Sequence, residues 1–237
     1  MAEQQNQAKQ EMSTAQLVVR LIVLAAVFPL LLFPFAGRWD WGMGWALIGI
    51  LAVATILSRL LLLRVHPYLV TERANSLDAE NAKAWDKVLA PAMGLTPMLV
   101  LVVAGLDQRF GWSPEFPLGW QLTGLALAIL GYGLATWAML TNRFFSGVVR
   151  IQSERGHTVI DTGPYAFVRH PGYSGSLLAG VGFPLALSSL WALVPLTLMF
   201  VVTVVRTKLE DGTLQEELTG YAEFAGKTRY RLLPGIW

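Results

Sequence analysis

Apolar runs long enough to cross a lipid bilayer constrain this chain before any other feature does. A helix rises about 1.5 Å per residue, so about 20 apolar residues cross a hydrocarbon core of about 30 Å. Leu17 to Ala36, Trp41 to Leu63, Val88 to Leu106 and Leu118 to Leu140 all meet that length. Lipid offers backbone N–H and C=O groups no water, so spans of this kind must satisfy them internally as helices. A fifth run, Ser174 to Val205, is 32 residues long and holds Pro184 and Pro195, with Ser188-Ser189 between them. A single helix of that length overshoots the bilayer, and the paired prolines predict a tight hairpin of two short helices. The fold expected is therefore an all-α membrane protein of about six transmembrane helices, the last two forming the short hairpin.

Composition agrees: 54% of residues are hydrophobic and 14% charged, and the mean hydropathy is +0.49. These values exclude an ordinary soluble domain. Lys and Arg collect in cytoplasmic loops. With six spans and a cytoplasmic N-terminus, only Arg38 and Arg109 of the 18 basic residues fall outside. Five spans would export the basic C-terminal tail. Both termini are thus expected in the cytoplasm, and the formal charge of +2 reflects topology beside an anionic leaflet, not nucleic-acid binding.

Three divisions follow: a polar, disordered tail at 1–15, a four-helix transmembrane region at 16–140, and a C-terminal unit at 141–237. The first apolar run is too long for a cleaved signal peptide and is read as a retained span. The chain has no cysteine, which removes disulfides, thiolate nucleophiles and thiolate metal sites. His66, His157 and His170 lack the spacing of a helical ligand pair, so no metal is expected. Residues 64–87 read as an amphipathic cytoplasmic helix or a solvated connector. Residues 109–117 read as an outer loop with aromatic anchors.

Polar residues concentrate in two places. One is Gly163-Pro164-Tyr165-Ala166-Phe167-Val168-Arg169-His170-Pro171-Gly172-Tyr173, and the other runs from Arg206 through Glu210 and Asp211 to Arg231. Polar groups at membrane depth are costly and usually functional. Before the first cluster, residues 148–152 and 158–160 suggest short extended pieces around an Arg155-Gly156 turn. Irregular backbone of this kind must be buried in protein or line a wet cavity, which predicts a pocket at the cytoplasmic face.

His157-Thr158-Val159-Ile160, Gly163, Tyr165, Arg169-His170-Pro171, Tyr173, then Arg206, Glu210-Asp211, Gly220-Tyr221 and Arg231-Leu232-Leu233-Pro234 together resemble the integral-membrane methyltransferases. That family includes isoprenylcysteine carboxyl methyltransferase and its phospholipid methyltransferase relatives, and the resemblance covers about residues 140–237. It implies S-adenosylmethionine as cofactor, held in a cytoplasmic C-terminal segment against the membrane helices. The cofactor contacts it carries over are Gln152, His157, Thr158, Val159, Ile160, Tyr165, His170, Pro171, Gly172, Tyr173 and Glu210. Arg206 stands at the family's substrate position, and with Glu210 forms the catalytic pair. Asp211 stands where a second Glu is usual.

The acceptor implied is a lipid-like or prenylated molecule. A carboxylate acceptor needs no base but does need a cation, and the guanidinium fork of Arg206 suits it. Phospholipid N-methylation and methylation of a small thiol remain alternatives, as does an NADPH-dependent reductase of the sterol type. Several residues also have simpler readings. Arg206 and Glu210 have the spacing of an i,i+4 pair, Tyr165 and Tyr173 of interfacial anchors, and His170 of a helix cap. Gly131-Tyr132-Gly133 either touches cofactor or packs helices closely.

Overall fold

A computed structural model of the chain describes residues 14–74, 76, 79 and 81–237. The expected N-terminal tail lies, up to residue 13, outside the described residues. Among the described residues there are eight α-helices: α1 (Thr14–Ala36), α2 (Gly42–Val65), α3 (Pro67–Ala74), α4 (Asp86–Phe110), α5 (Leu118–Thr141), α6 (Pro171–Ala186), α7 (Leu193–Glu217) and α8 (Tyr221–Lys227). Two 3₁₀ turns, Ser153–Arg155 and Gly163–Ala166, punctuate the long loop between α5 and α6. Among the described residues, α2, α4 and α5 are long and apolar enough to cross a membrane. Their outward faces carry Val53, Leu57, Leu95, Ile129 and Leu130, all exposed, an apolar surface suited to lipid.

The helices run alternately between two ends. At one end Asp107 is 2% exposed and accepts hydrogen bonds from the Ser113 N–H at 2.7 Å, the Ser113 hydroxyl at 2.6 Å and the Trp191 N–H at 3.3 Å. These bonds tie the 111–117 turn to the 187–192 turn. There α4 stops at Gly111, whose left-handed φ of 63° closes the helix as glycine readily does. At the other end the 66–85 connector, the 142–170 loop and the C-terminal segment gather. Lys83 N–H donates to Val149 C=O at 3.0 Å, and Arg169 N–H donates to Tyr230 C=O at 2.9 Å.

The hairpin forms as expected, with α6 and α7 joined at 187–192, but α7 continues past Val205 to Glu217. Arg206, Glu210 and Asp211 therefore share one helix with the apolar run before them. Pro195 falls in the first turn of α7, where a missing N–H costs little. In the 64–87 segment Arg64 and Val65 end α2, Pro67–Ala74 forms the short α3, and Asp86 and Lys87 begin α4. Residues 148–152 and 158–160 pair with no strand among the described residues; within 146–151 several backbone groups bond other segments instead, Val149 C=O accepting the Lys83 N–H and Ile151 C=O the Asn81 side chain at 3.0 Å.

The seam between α5 and α6 is built from small residues. Gly124, Ala128, Gly131 and Ala135 face Gly175, Ala179, Gly182 and Ala186. A Cβ on Gly131 would lie 2.3 Å from Ala179 N and 2.5 Å from Gly175 O, whereas one on Gly133 would meet nothing within 4 Å. Of the two readings of Gly131-Tyr132-Gly133, close helix packing is the one the structure bears out at Gly131. Gly131→Val should thus force the helices apart and cost about 1–3 kcal/mol, while Gly133→Ala should be neutral or gain about 0.5–1 kcal/mol of helix propensity. Thermal unfolding of both variants in detergent checks the contrast, and equal melting temperatures would refute it.

Candidate functional site

Where the loop, the start of α6 and the polar end of α7 meet, they enclose a cavity of about 340 Å³. Its wall combines Ala90 and Met93 of α4, Ala135 and Met139 of α5, loop residues 142, 144–150 and 157–160, Tyr173 of α6, Glu210 of α7, and Tyr221 and Phe224 of α8. The sequence-predicted residues His157, Thr158, Val159, Ile160, Tyr165, His170, Gly172, Tyr173, Arg206 and Glu210 all line it. Gln152 and Pro171 do not. Gln152 is fully buried, and its side chain donates to Phe144 C=O at 2.8 Å; it braces the loop from behind. Pro171 is the first residue of α6, the position where proline fits a helix best.

Arg206 departs from expectation. Its fork is already engaged: Nε donates to Asp86 Oδ1 at 2.6 Å and Nη2 to Asp86 Oδ2 at 2.8 Å. Nη2 also reaches Gly147 C=O at 3.0 Å, and Asp86 Oδ2 accepts the Val149 N–H at 2.6 Å. Asp86 is 0% exposed and Arg206 6%. The bidentate fork read as free for an acceptor carboxylate is thus spent inside the protein, and the i,i+4 pair with Glu210 does not form. Asp86 begins α4, 120 residues before Arg206 in sequence, so nothing local announced the pairing.

Glu210 is half-buried, faces the cavity and accepts a hydrogen bond from the Tyr173 hydroxyl. Among the described residues it makes no ion pair. Its neighbour Asp211 points elsewhere and is wholly buried. Asp211 meets Arg169 Nε at 3.0 Å, Arg231 Nε at 2.9 Å, the Tyr221 hydroxyl at 3.0 Å and His170 Nε2 at 3.4 Å. His170, Arg231 and Arg169 thus surround this buried carboxylate with hydrogen-bond donors and positive charge. Through this carboxylate Arg231 ties the C-terminal segment to α7. His170 caps α6 and also stacks on Tyr173 with ring centroids 5.7 Å apart.

His157 packs its ring on Phe144 at 4.4 Å, and its Nδ1 accepts the Gln152 N–H at 3.3 Å. Burial, then Arg155 and Arg150, depress its pKa to about 4. The ring is therefore neutral at pH 7, with its proton on Nε2. Tyr165 receives Asn142 Nδ2 at 3.2 Å, and burial raises its pKa above the ordinary tyrosine value. Among the described residues, no hydrogen bond engages the backbone of His157 through Asp161. Free donors and acceptors thus face the cavity. A smaller apolar cavity of about 100 Å³ lies deeper, between Pro97, Tyr132, Phe183 and Met199.

The family model described as phospholipid methyltransferase matches residues 120–219. This region is similar to that family over 100 of the chain's 237 residues. Over 89 residues, 36% of this chain and 47% of the relative, it is 37% identical to a probable protein-S-isoprenylcysteine O-methyltransferase of Oryza sativa subsp. indica. It is 38% identical over 84 residues to protein-S-isoprenylcysteine O-methyltransferase B of Arabidopsis thaliana, covering 35% of this chain and 39% of that one. The corresponding Saccharomyces cerevisiae protein is 33% identical over 112 residues, 44% of this chain and 45% of the relative. The chain spans less than half the length of the curated relatives it matches.

Asp86, Arg73 and Asn142 also belong to the site or its frame and were not singled out from sequence. The one available signal was Asp86, a carboxylate at the edge of an apolar span. Removing one partner of a buried pair strands the other charge at about 3–5 kcal/mol. Asp86→Asn should lower thermal stability by that order, and a variant that melts with the unmodified protein would contradict the pairing.

Proposed function

We propose that this chain is an integral-membrane methyltransferase that uses S-adenosylmethionine to methylate a carboxylate on a lipid-like or prenylated acceptor. The observation that carries the reading is convergence: of the residues the family resemblance assigns to cofactor and substrate, all but Gln152 and Pro171 line one cavity. At about 340 Å³ that cavity falls within the about 300–1,000 Å³ of small-molecule sites.

The residues present fit the cofactor. The unpaired backbone of 157–160 offers hydrogen bonds to a purine edge, and neutral His157 offers a donor. Glu210, half-buried and without an ion pair among the described residues, suits a ribose hydroxyl or an ammonium group. The rings of Tyr165 and Tyr173 offer aromatic faces to a sulfonium, an attraction of about 0.5–2 kcal/mol. The bound cofactor supplies a methyl group on an already activated leaving group. The protein's task is then to align the acceptor, exclude water and place charge. A carboxylate acceptor asks for no general base, which agrees with a neutral His157 and a His170 tied to Asp211.

All six long helices cross the membrane in this reading, with the cavity on the cytoplasmic side where nearly all basic residues collect. A reporter fused after Trp237 should therefore score as cytoplasmic, and exposure on the opposite side would remove the six-span arrangement.

Purified protein in lipid nanodiscs should transfer label from S-adenosylmethionine to an S-farnesylcysteine derivative as a base-labile ester. The family description also names phospholipids, so phosphatidylethanolamine and a small thiol serve as the competing acceptors. Glu210→Gln should weaken cofactor binding tenfold or more, about 1.4 kcal/mol. Failure of a folded sample to bind S-adenosylmethionine in calorimetry would end the reading.

A further inference from the structure

The arginines of the cavity wall are not equivalent. Arg206 is paired with Asp86, Arg169 with Asp211, and Arg150 with Glu72 and Glu154. Arg73 is different. It sits near the end of α3, outside the matched residues 120–219, yet it lines the same cavity. Its Nη1 donates to Ser146 C=O at 3.1 Å, and its guanidinium lies 5.1 Å from the centroid of the Phe145 ring. Its Nε is buried with no hydrogen-bond partner. Among the described residues it makes no ion pair. Glu72, beside it in sequence, is spent on Arg150 and on the Ser146 hydroxyl.

A half-buried cation whose Nε is buried and unbonded, with no counter-charge among the described residues, is an unsatisfied group. Burial first, then the charges of Arg59 and Arg206, already depress the Arg73 pKa to about 10, so the protein around it does not complete its environment. An anion in the cavity would. Arg73 shares its wall with Ala90, Met93 and Gly94 of α4 and Ala135 and Met139 of α5. A cation beside an apolar surface matches a molecule that joins an acid to a hydrocarbon tail. The residues assigned to the cofactor come from the loop, α6 and α7.

We infer that Arg73 binds the carboxylate of the methyl acceptor, the role its sequence position gave to Arg206. The inference rests on the methyltransferase reading above. The acid meets the Arg73 guanidinium from the cavity that this residue lines, while Arg206 stays clamped to Asp86 and shapes the wall behind Tyr173, whose ring lies 5.4 Å from its guanidinium carbon. Guanidinium–carboxylate pairs of this kind are charge-assisted and directional.

The test uses the full chain in nanodiscs, with three constants measured for Arg73→Gln and Arg73→Lys. These are the Kd for S-adenosylmethionine, the KM for an S-farnesylcysteine acid, and the Ki of the matching amide, which keeps the tail but lacks the charge. Arg73→Gln should raise the acid KM at least tenfold while leaving the cofactor Kd and amide Ki within about twofold. Arg73→Lys should recover part of the loss. An unchanged acid KM overturns the inference, and so does an equal rise in KM and Ki, which marks general damage to the cavity. A weakened cofactor with normal acid KM also overturns it, by giving Arg73 the donor's carboxylate. Absence of cofactor binding in the unmodified protein would instead fail the methyltransferase reading, so the two failures are told apart.

Discussion

The buried pair of Asp86 and Arg206 is the constraint on which the rest of the site depends. It joins the first residue of α4, the middle of α7 and, through Val149 N–H and Gly147 C=O, the loop that has no secondary structure of its own. Bringing two charges out of water costs several kcal/mol per ion, which the pair offsets only with full hydrogen bonding. Here the carboxylate and guanidinium satisfy each other and two backbone groups as well. A loop that contributes neither strand nor helix would otherwise bury unpaired peptide groups. The pair therefore fixes where residues 147–149 lie, and with them one wall of the cavity.

A second carboxylate does the matching work at the other wall. Successive residues of a helix point about 100° apart, so Glu210 and Asp211 cannot serve the same space. Glu210 faces the cavity and Tyr173. Asp211 turns to the protein side, where Arg169, His170, Tyr221 and Arg231 converge on it. These partners come from the loop, from α8 and from the C-terminal segment, so one side chain gathers three parts of the chain behind the wall. A shorter Asp where Glu is usual in the family suits this place, because the cluster is tight and the carboxylate has no exposure.

Much of this was legible in the sequence because the physics is local. The apolar runs, the prolines that break the fifth run and the small residues along α5 and α6 act through neighbours one or two turns away. The convergence of His157–Ile160, Tyr165, His170, Gly172, Tyr173 and Glu210 on one cavity was legible from the order of motifs, not from periodicity. The partner of Arg206 was not legible: the i,i+4 spacing to Glu210 offered a local answer, and the real partner lies 120 residues back at a helix start. Arg73 was hidden in the same way, within a segment whose mixed charges resemble a solvated connector. Only the fold shows that Glu72 is taken by Arg150 while Arg73 turns inward.

The charge left over after pairing limits what the cavity can hold. Asp86 cancels Arg206, Asp211 sits among Arg169 and Arg231, and Arg150 is met by two glutamates. Among the described residues that leaves Glu210 and Arg73 facing the space without an ion partner. A low-dielectric site strengthens whatever electrostatics remain in it. Under the proposed reading Glu210 would face the cofactor's sulfonium and ammonium, and Arg73 the acid of the acceptor. An amine acceptor would arrive as a second cation next to Arg73 and would need a base to take its proton, while the nearest histidines are either neutral and hydrogen-bonded through Nδ1 or tied to Asp211. The distribution of unpaired charge thus argues for an acidic acceptor more strongly than the position of Arg206 ever did.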